Sequence, residues 1–187
     1  MDKITATQMI GGNPAKARSS TDFYPTPRDV TLALLDFLDI PKPATIWEPA
    51  CGEFDMVNVF NAAGYNFYAS DLSTGCDFLT VPLIECDWII TNPPFSASDK
   101  FIERCAEHGK PFALLLKSQY WHAKKRSKLF QEIQPRYVLP LTWRPDFLFK
   151  QPGKRSAPLM DVMWCVWEPP YCGSTIYLPL QKGGDNL

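Results

Sequence analysis

The sequence is poor in histidine and has no paired-cysteine spacing. Its two histidines, His108 and His122, stand apart, and its six cysteines, at 51, 76, 86, 105, 165 and 172, include no CxxC pair. A zinc site built from Cys and His needs such spacing, so no metal centre is expected and the cysteines read as reduced core or loop thiols. There is no GxGxxG, which removes the direct inference of dinucleotide binding. No stretch approaches the ~20 apolar residues of a membrane span, and the N-terminal region lacks the apolar core of a signal peptide. A cytoplasmic protein is the expectation. Repeats and low-complexity tracts are also missing.

What is present is an ordinary globular composition with an uneven charge distribution. At 187 residues the chain suits one domain, burying roughly 70% of the surface its unfolded form exposes. Residues 1–20 read as a mobile arm and 21–187 as the domain. The net charge of −1 conceals segments of opposite sign: residues 1–99 carry −8, residues 100–156 carry +9 and residues 157–187 carry −2. The basic segment interleaves with aromatics in "KSQYWHAKKRSKLF" (117–130) and "LTWRPDFLFK" (141–150). Such a pattern suits a polyanion as well as a solvated helix face.

Strands alternate with helices along the chain. "TPRDVTLALLDFL" (26–38) offers Thr26 as N-cap, Pro27 at the first helical position and Val30, Ala33, Leu34, Phe37 and Leu38 on one face. A strand is expected at 45–48, a helix near 55–63, a strand at 67–70 and another at 87–91. Ser98 is expected to cap a helix that turns Phe101, Ile102, Cys105 and Ala106 inward. "FALLL" (112–116), "YVL" (137–139) and "DVMWCVW" (161–167) read as strands, and "KKRSKLFQEI" (124–133) as a helix. Residues 144–158 have no period and read as a long functional loop. This alternation predicts an α/β fold with a mostly parallel sheet.

Three stretches carry chemistry. "DWII" (87–90) is a buried-strand pattern that runs into "TNPPF" (91–95). The prolines stop the ladder and hold Asn92 extended, which fixes a polar tip at the carboxyl end of a strand, where open α/β sheets bind ligands. In "IWEPACGEFDM" (46–56) a strand ends on Glu48 and turns through Ala50, Cys51 and Gly52 into a helix, an arrangement that admits a nucleotide-like ligand. Asp71 ends the next strand about 20 residues on, the expected place for an acid that grips ribose hydroxyls.

Taken together and in order, "DFYPTP" (22–27), "EPACG" (48–52), Asp71, "DFL" (77–79) and "NPPF" (92–95) resemble the amino-group DNA methyltransferases that use S-adenosyl-L-methionine. With the later "SAPLMDVMWCVWE" (156–168), the chain is most similar to the small adenine-N6 enzymes of phages and prophages, and the resemblance spans residues 22–177. It implies a Rossmann-like class I methyltransferase fold, a seven-stranded sheet with helices on both faces, in a bacterial or phage-infected cell. By position it places Tyr24 and Thr26 on the cofactor side, with Thr26 near the methionine carboxylate. Glu48, Pro49 and Ala50, with Cys51 and Gly52, surround the methionine part. Asp71 with Leu72 falls at the ribose, and Asp77 with Phe78 at the adenine. Phe54 stands where the family pattern has a second glycine, and its ring is expected to crowd the turn.

The resemblance makes Asn92, Pro93, Pro94 and Phe95 the catalytic motif. An exocyclic amino nitrogen is a poor nucleophile because its lone pair is delocalised into the ring. If the Asn92 side-chain oxygen and the Pro93 carbonyl accept its two N–H bonds, the nitrogen can pyramidalise toward the methyl donor. Phe95 would stack on a base flipped out of the duplex. DNA contact is expected from residues 119–158 and named side chains Lys117, Tyr120, Trp121, Lys124, Lys125, Arg126 and Lys128, chiefly to phosphates. Two other readings stand beside this one. A protein-glutamine N5 methyltransferase meets a similarly delocalised amide nitrogen with a similar tip, but the basic aromatic segment speaks against it. A catalytically silent nucleic-acid-binding or interaction protein could retain the fold.

Overall fold

Alternate residues of the central strands face opposite ways, and the two layers they pack against set the architecture. In the computed structural model, which describes residues 24–150 and 160–182, one core layer holds Ile46, Ile90, Ala113, Leu115, Trp164 and Val166. Their neighbours Trp47, Ile89, Phe112, Leu114, Cys165 and Trp167 form the other. Strands buried on both faces read as continuous apolar runs, which is why "FALLL" and "VMWCVW" have no polar alternation.

The strands are β1 (Thr45–Glu48), β2 (Asn66–Ala69), β3 (Trp88–Thr91), β4 (Phe112–Lys117), β5 (Tyr137–Pro140), β6 (Val162–Trp167) and β7 (Ile176–Tyr177). They form one seven-stranded sheet in the order β2-β1-β3-β4-β6-β5-β7. β6 runs antiparallel to both of its neighbours, and the other pairings are parallel. The helices are α1 (Arg28–Leu38), α2 (Asp55–Ala62), α3 (Ser98–His108) and α4 (Ser127–Glu132). α1 and α2 supply Val30, Leu34, Val59 and Phe60 to the first layer. Phe101, Ile102 and Cys105 of α3 enter the second, with Leu129 of α4 packed against it.

Several local expectations are corrected. Thr26 does not cap α1: the cap position is Pro27, with no side-chain hydrogen bond, and the Thr26 hydroxyl serves Asn92 instead. Ser98 is the first residue of α3, after Ala97 at the cap, and its hydroxyl donates back to the Phe95 carbonyl at 3.1 Å. The helix expected over 124–133 divides into a short 3-10 turn, Lys124–Arg126, followed by α4. The seventh strand that the resemblance implied is β7, whose place the pattern did not give, since two exposed residues are too few to read. The expected arm at 1–20 lies outside the described residues, as does 151–158 of the expected loop. No helix among the described residues is long and apolar enough to cross a membrane.

Chain direction positions the site. β1, β2, β3 and β4 are parallel, so Glu48, Asp71, Asn92 and Lys117 all lie at or just beyond the carboxyl ends of their strands, on one edge of the sheet. From β1 the chain goes to β2 on one side and then to β3 on the other, and the crevice at such a reversal is where open sheets take ligands.

Candidate active site

A cavity of about 750 Å³ opens at this reversal, lined by Tyr24, Thr26, the turn 48–53, Asp71, Leu72, Asp77, Phe78 and Asn92 to Pro94. The size suits a drug-sized or nucleoside-sized ligand. All eleven residues read as cofactor-side from the sequence line it, as do Asn92, Pro93 and Pro94 of the catalytic motif. Phe95 stands beside it, with Tyr24 at 5.6 Å between ring centroids.

The turn after β1 is held by backbone and by one acid. Cys51 N–H donates to Ser70 O at 3.0 Å and Ser70 N–H to Glu48 O at 3.0 Å, so the turn is clipped to the end of β2. Gly52 adopts φ +48° and its N–H donates to Asp71 Oδ2 at 2.9 Å. Asp71 Oδ1 accepts from Ser73 N–H at 2.8 Å and Ser73 Oγ at 2.6 Å. Partial burial would raise the Asp71 pKa, but the Ser73 and Gly52 hydrogen bonds outweigh it and hold the carboxyl below its ordinary value. An ionised acid therefore faces the cavity at the end of β2. Burial, with the nearby Glu48 and Asp71, pushes the Cys51 thiol up to about 11, which disfavours its thiolate.

Phe54 departs from the sequence expectation. Its φ of +66° is the left-handed region, which explains why a glycine fits there. The ring is 46% exposed and does not line the cavity. The cost of a phenylalanine here falls on the backbone, and the turn is not crowded.

Glu48 is the most unusual group in the site. It is 1% exposed, and its Oε1 accepts from Ala50 N–H at 3.2 Å. Oε2 and the neighbouring Thr91 Oγ1 are both buried without a partner that meets hydrogen-bond geometry among the described residues. Burial pushes the Glu48 carboxyl up to about 8, against smaller downward pulls from Thr91 and Ala50. A buried carboxyl oxygen without a partner among the described residues, on a side chain that lines a cavity, fits a ligand that brings a cation or a donor.

At the other end, Asp77 Oδ1 accepts from Leu79 N–H at 3.0 Å, and the buried Phe78 packs between Trp47 at 5.1 Å and Phe101 at 4.9 Å. Arg104 of α3 secures this loop by donating to Phe78 O at 3.4 Å and Val81 O at 2.6 Å. Sequence reasoning missed Arg104, Thr91 and Phe147. Thr91 and Phe147 fall inside quoted stretches without being singled out and Arg104 in none; each acts through contacts made across the fold.

Asn92 links the two halves. Its Nδ2 donates to Tyr24 O and to Thr26 Oγ1, both at 3.0 Å. With the nitrogen committed there, Oδ1 is the end of the amide left to accept. Lys117 lies over the Phe95 ring with Nζ 4.6 Å from its centroid, a cation–π contact.

The basic segment is only partly a surface. Tyr120 is 4% exposed and donates to Asp99 Oδ1. Arg126 donates to the same oxygen at 3.1 Å and to Tyr120 O at 2.8 Å. Trp121 packs among Tyr120, Phe130 and Trp167. Tyr120 is thus buried, while Trp121 and Arg126 are half-buried and already engaged by aromatic rings and by Asp99. Lys124, Lys125 and Lys128 remain exposed.

No protein-family model matches the chain, and no curated protein matches it in sequence. Solved structures do match in fold. A Listeria monocytogenes protein assigned to the class I S-adenosylmethionine-dependent methyltransferases aligns over 88% of this chain and 68% of its own, at 14% identity and TM-score 0.60. The M protein of the type I restriction enzyme EcoKI aligns over 79% of this chain at 14% identity and TM-score 0.53; the chain spans 44% of its length. A Pyrococcus horikoshii protein assigned as an RNA methyltransferase aligns over 82% of this chain and 88% of its own, at 12% identity and TM-score 0.51. The chain has the Rossmann-like fold of the class I methyltransferases.

Proposed function

We propose that the chain is an S-adenosylmethionine-dependent methyltransferase acting on the exocyclic N6 amino group of adenine in DNA. The observation that carries this reading is the Asn92 amide, whose nitrogen is tied to Tyr24 O and Thr26 Oγ1. Its oxygen is thereby committed as an acceptor beside a cavity shared with the acid-ended turns of β1 and β2.

The residues present fit the cofactor. The unpartnered Glu48 Oε2 and Thr91 Oγ1 suit the ammonium of its methionine part, and the ionised Asp71 suits the ribose hydroxyls. Asp77 and the wall made by Phe78 suit the adenine. The bound cofactor would supply a methyl group on a cationic sulfur. The chain's own part is to orient the acceptor nitrogen: Asn92 Oδ1 and the Pro93 carbonyl accept its two N–H bonds, localising the lone pair on nitrogen. Held so, the nitrogen would present its lone pair to the methyl donor, and the amino proton given up on transfer would pass to solvent.

DNA as the substrate is supported by the motif order, the exposed Lys124, Lys125 and Lys128, and the Phe95 ring beside the cavity, which suits stacking of a flipped base. The test is incubation of DNA with labelled cofactor, digestion to nucleosides and mass spectrometry. N6-methyladenine is expected. Label appearing only in RNA or in protein glutamine would replace the substrate, and no transfer together with tight cofactor binding would favour the silent binding protein.

A further inference from the structure

Phe147 lies in the connection between β5 and β6, within the segment expected to meet the target, yet its ring is 2% exposed. It packs with Tyr24 at 6.2 Å between centroids and 77° between planes. Tyr24 is thus held between Phe147 and Phe95, the latter at 5.6 Å, and the Tyr24 carbonyl accepts from Asn92 Nδ2. The same connection is anchored on either side. Trp143 Nε1 donates to Asp29 Oδ2 at 2.9 Å in the first turn of α1. Lys150 pairs with Glu53 at 2.8 Å and Asp55 at 2.6 Å on the cofactor-side turn.

Residues 24–27 belong to no helix or strand, and Pro25 and Pro27 have no N–H to give. Packing of the Tyr24 ring therefore weighs heavily in where its carbonyl points. We propose that Phe147 is a positioning residue: by wedging Tyr24 it holds that carbonyl on the Asn92 amide, which keeps Oδ1 turned toward the reacting nitrogen. The catalytic consequence rests on the reading of Asn92 given above, whereas the structural link does not. The segment that meets the target is in this way wired to the acceptor of the target's amino group, through two rings and one hydrogen bond.

The experiment follows the Asn92 side-chain amide by NMR in the ¹⁵N-labelled chain, the resonance pair being assigned by its disappearance in Asn92→Asp. Phe147→Leu is compared with Phe60→Leu, a buried phenylalanine of α2 with no ring contact to Tyr24 among the described residues. Phe147→Met stands in should the leucine variant not fold. The Asn92 pair is expected to move toward the position of an unbonded amide in the Phe147 variant and to stay in place in the Phe60 control. Single-turnover methyl transfer to DNA, with both ligands saturating, is expected to fall about 10- to 100-fold further in the Phe147 variant, the scale of a misplaced catalytic group. An unmoved Asn92 pair in a folded Phe147 variant overturns the proposal whatever the transfer rate. A moved pair with transfer equal to the control overturns the catalytic part. Full transfer by Asn92→Ala would sink the underlying reading of Asn92 and leave the link from Phe147 to the amide standing.

Discussion

The side-chain nitrogen of Asn92 donates to the Thr26 hydroxyl at 3.0 Å, across 66 residues of sequence, from the end of β3 to the start of α1. A threonine that the sequence offers as a helix cap is instead the support of an amide at the cavity. The hydroxyl keeps its own hydrogen to give, so one residue can serve both the amide and a ligand carboxylate.

Asn92→Ala is expected to lower single-turnover methyl transfer roughly 100- to 1,000-fold, the loss typical of one preorganised polar group, with a much smaller change in DNA affinity. Asn92→Asp keeps acceptor capacity but can no longer donate to the Tyr24 carbonyl, and it sets a carboxylate oxygen against that carbonyl. Its rate is expected to fall between those of alanine and the natural residue. Near-normal transfer by the alanine variant would remove Asn92 from the chemistry.

Glu48 predicts an inverted pH dependence. Its carboxyl is raised from 4.5 to about 8 in the folded chain, so the folded state holds a proton that the unfolded state releases. Stability contributed by that proton is complete below about pH 4.5, declines as pH rises and is gone above about pH 8. Urea melts between pH 5 and 8 should show this fall in the natural chain and a flatter profile in Glu48→Gln. Cofactor binding through an ionised Glu48 releases the proton, so calorimetry at pH 7 in buffers of different ionisation heat should report about one proton lost. A buffer-independent enthalpy would place the ammonium elsewhere.

The strands and the cavity were legible because both depend on short-range pattern. Apolar runs such as "WII" and "FALLL" can only be buried from both sides, and the acids and Asn92 follow their strands directly in sequence. The packing of Tyr120 and Arg126 was not legible because nothing local distinguishes a basic aromatic surface from a basic aromatic cluster folded onto one acid. Asp99 decides the matter from another helix, 21 residues from Tyr120 and 27 from Arg126. Phe147 and Arg104 were invisible for the same reason, since their partners are brought in by the sheet order. Phe54 was noticed as an anomaly but assigned the wrong cost, because sequence gives the missing glycine and not the direction of the ring.

Phe54→Gly tests that cost. Removing a side chain from a left-handed position relieves roughly 1 kcal/mol of strain, offset in part by the greater freedom of glycine in the unfolded chain. A small gain in melting temperature is expected, with cofactor affinity unchanged, as befits a ring outside the cavity. A large change in affinity would put the ring in the pocket wall.

The basic segment should divide into two kinds of residue when mutated. Lys125 is 3.8 Å from Asp99 with a 72% exposed side chain, and Lys124 is exposed on the same turn, so neither is needed for packing. Reversing both charges is expected to weaken DNA binding nearly uniformly across sequences. The salt dependence of binding should flatten by a slope of about 0.9 per lost phosphate contact on duplex DNA. Melting should be almost unaffected, since exposed pairs contribute little. Arg126→Ala is expected to do the reverse. It strips Asp99 of a donor and leaves the Tyr120 carbonyl and ring without their cation, at a cost of about 1–3 kcal/mol in stability. DNA affinity in the folded fraction should then fall by less than with the lysine reversals. Denaturant melts and DNA titrations at several salt concentrations, run on the same two variants, separate the effects. A salt slope that drops more with Arg126→Ala than with the lysine pair would return Arg126 to the DNA face and would mean that the packing against Asp99 gives way when DNA binds.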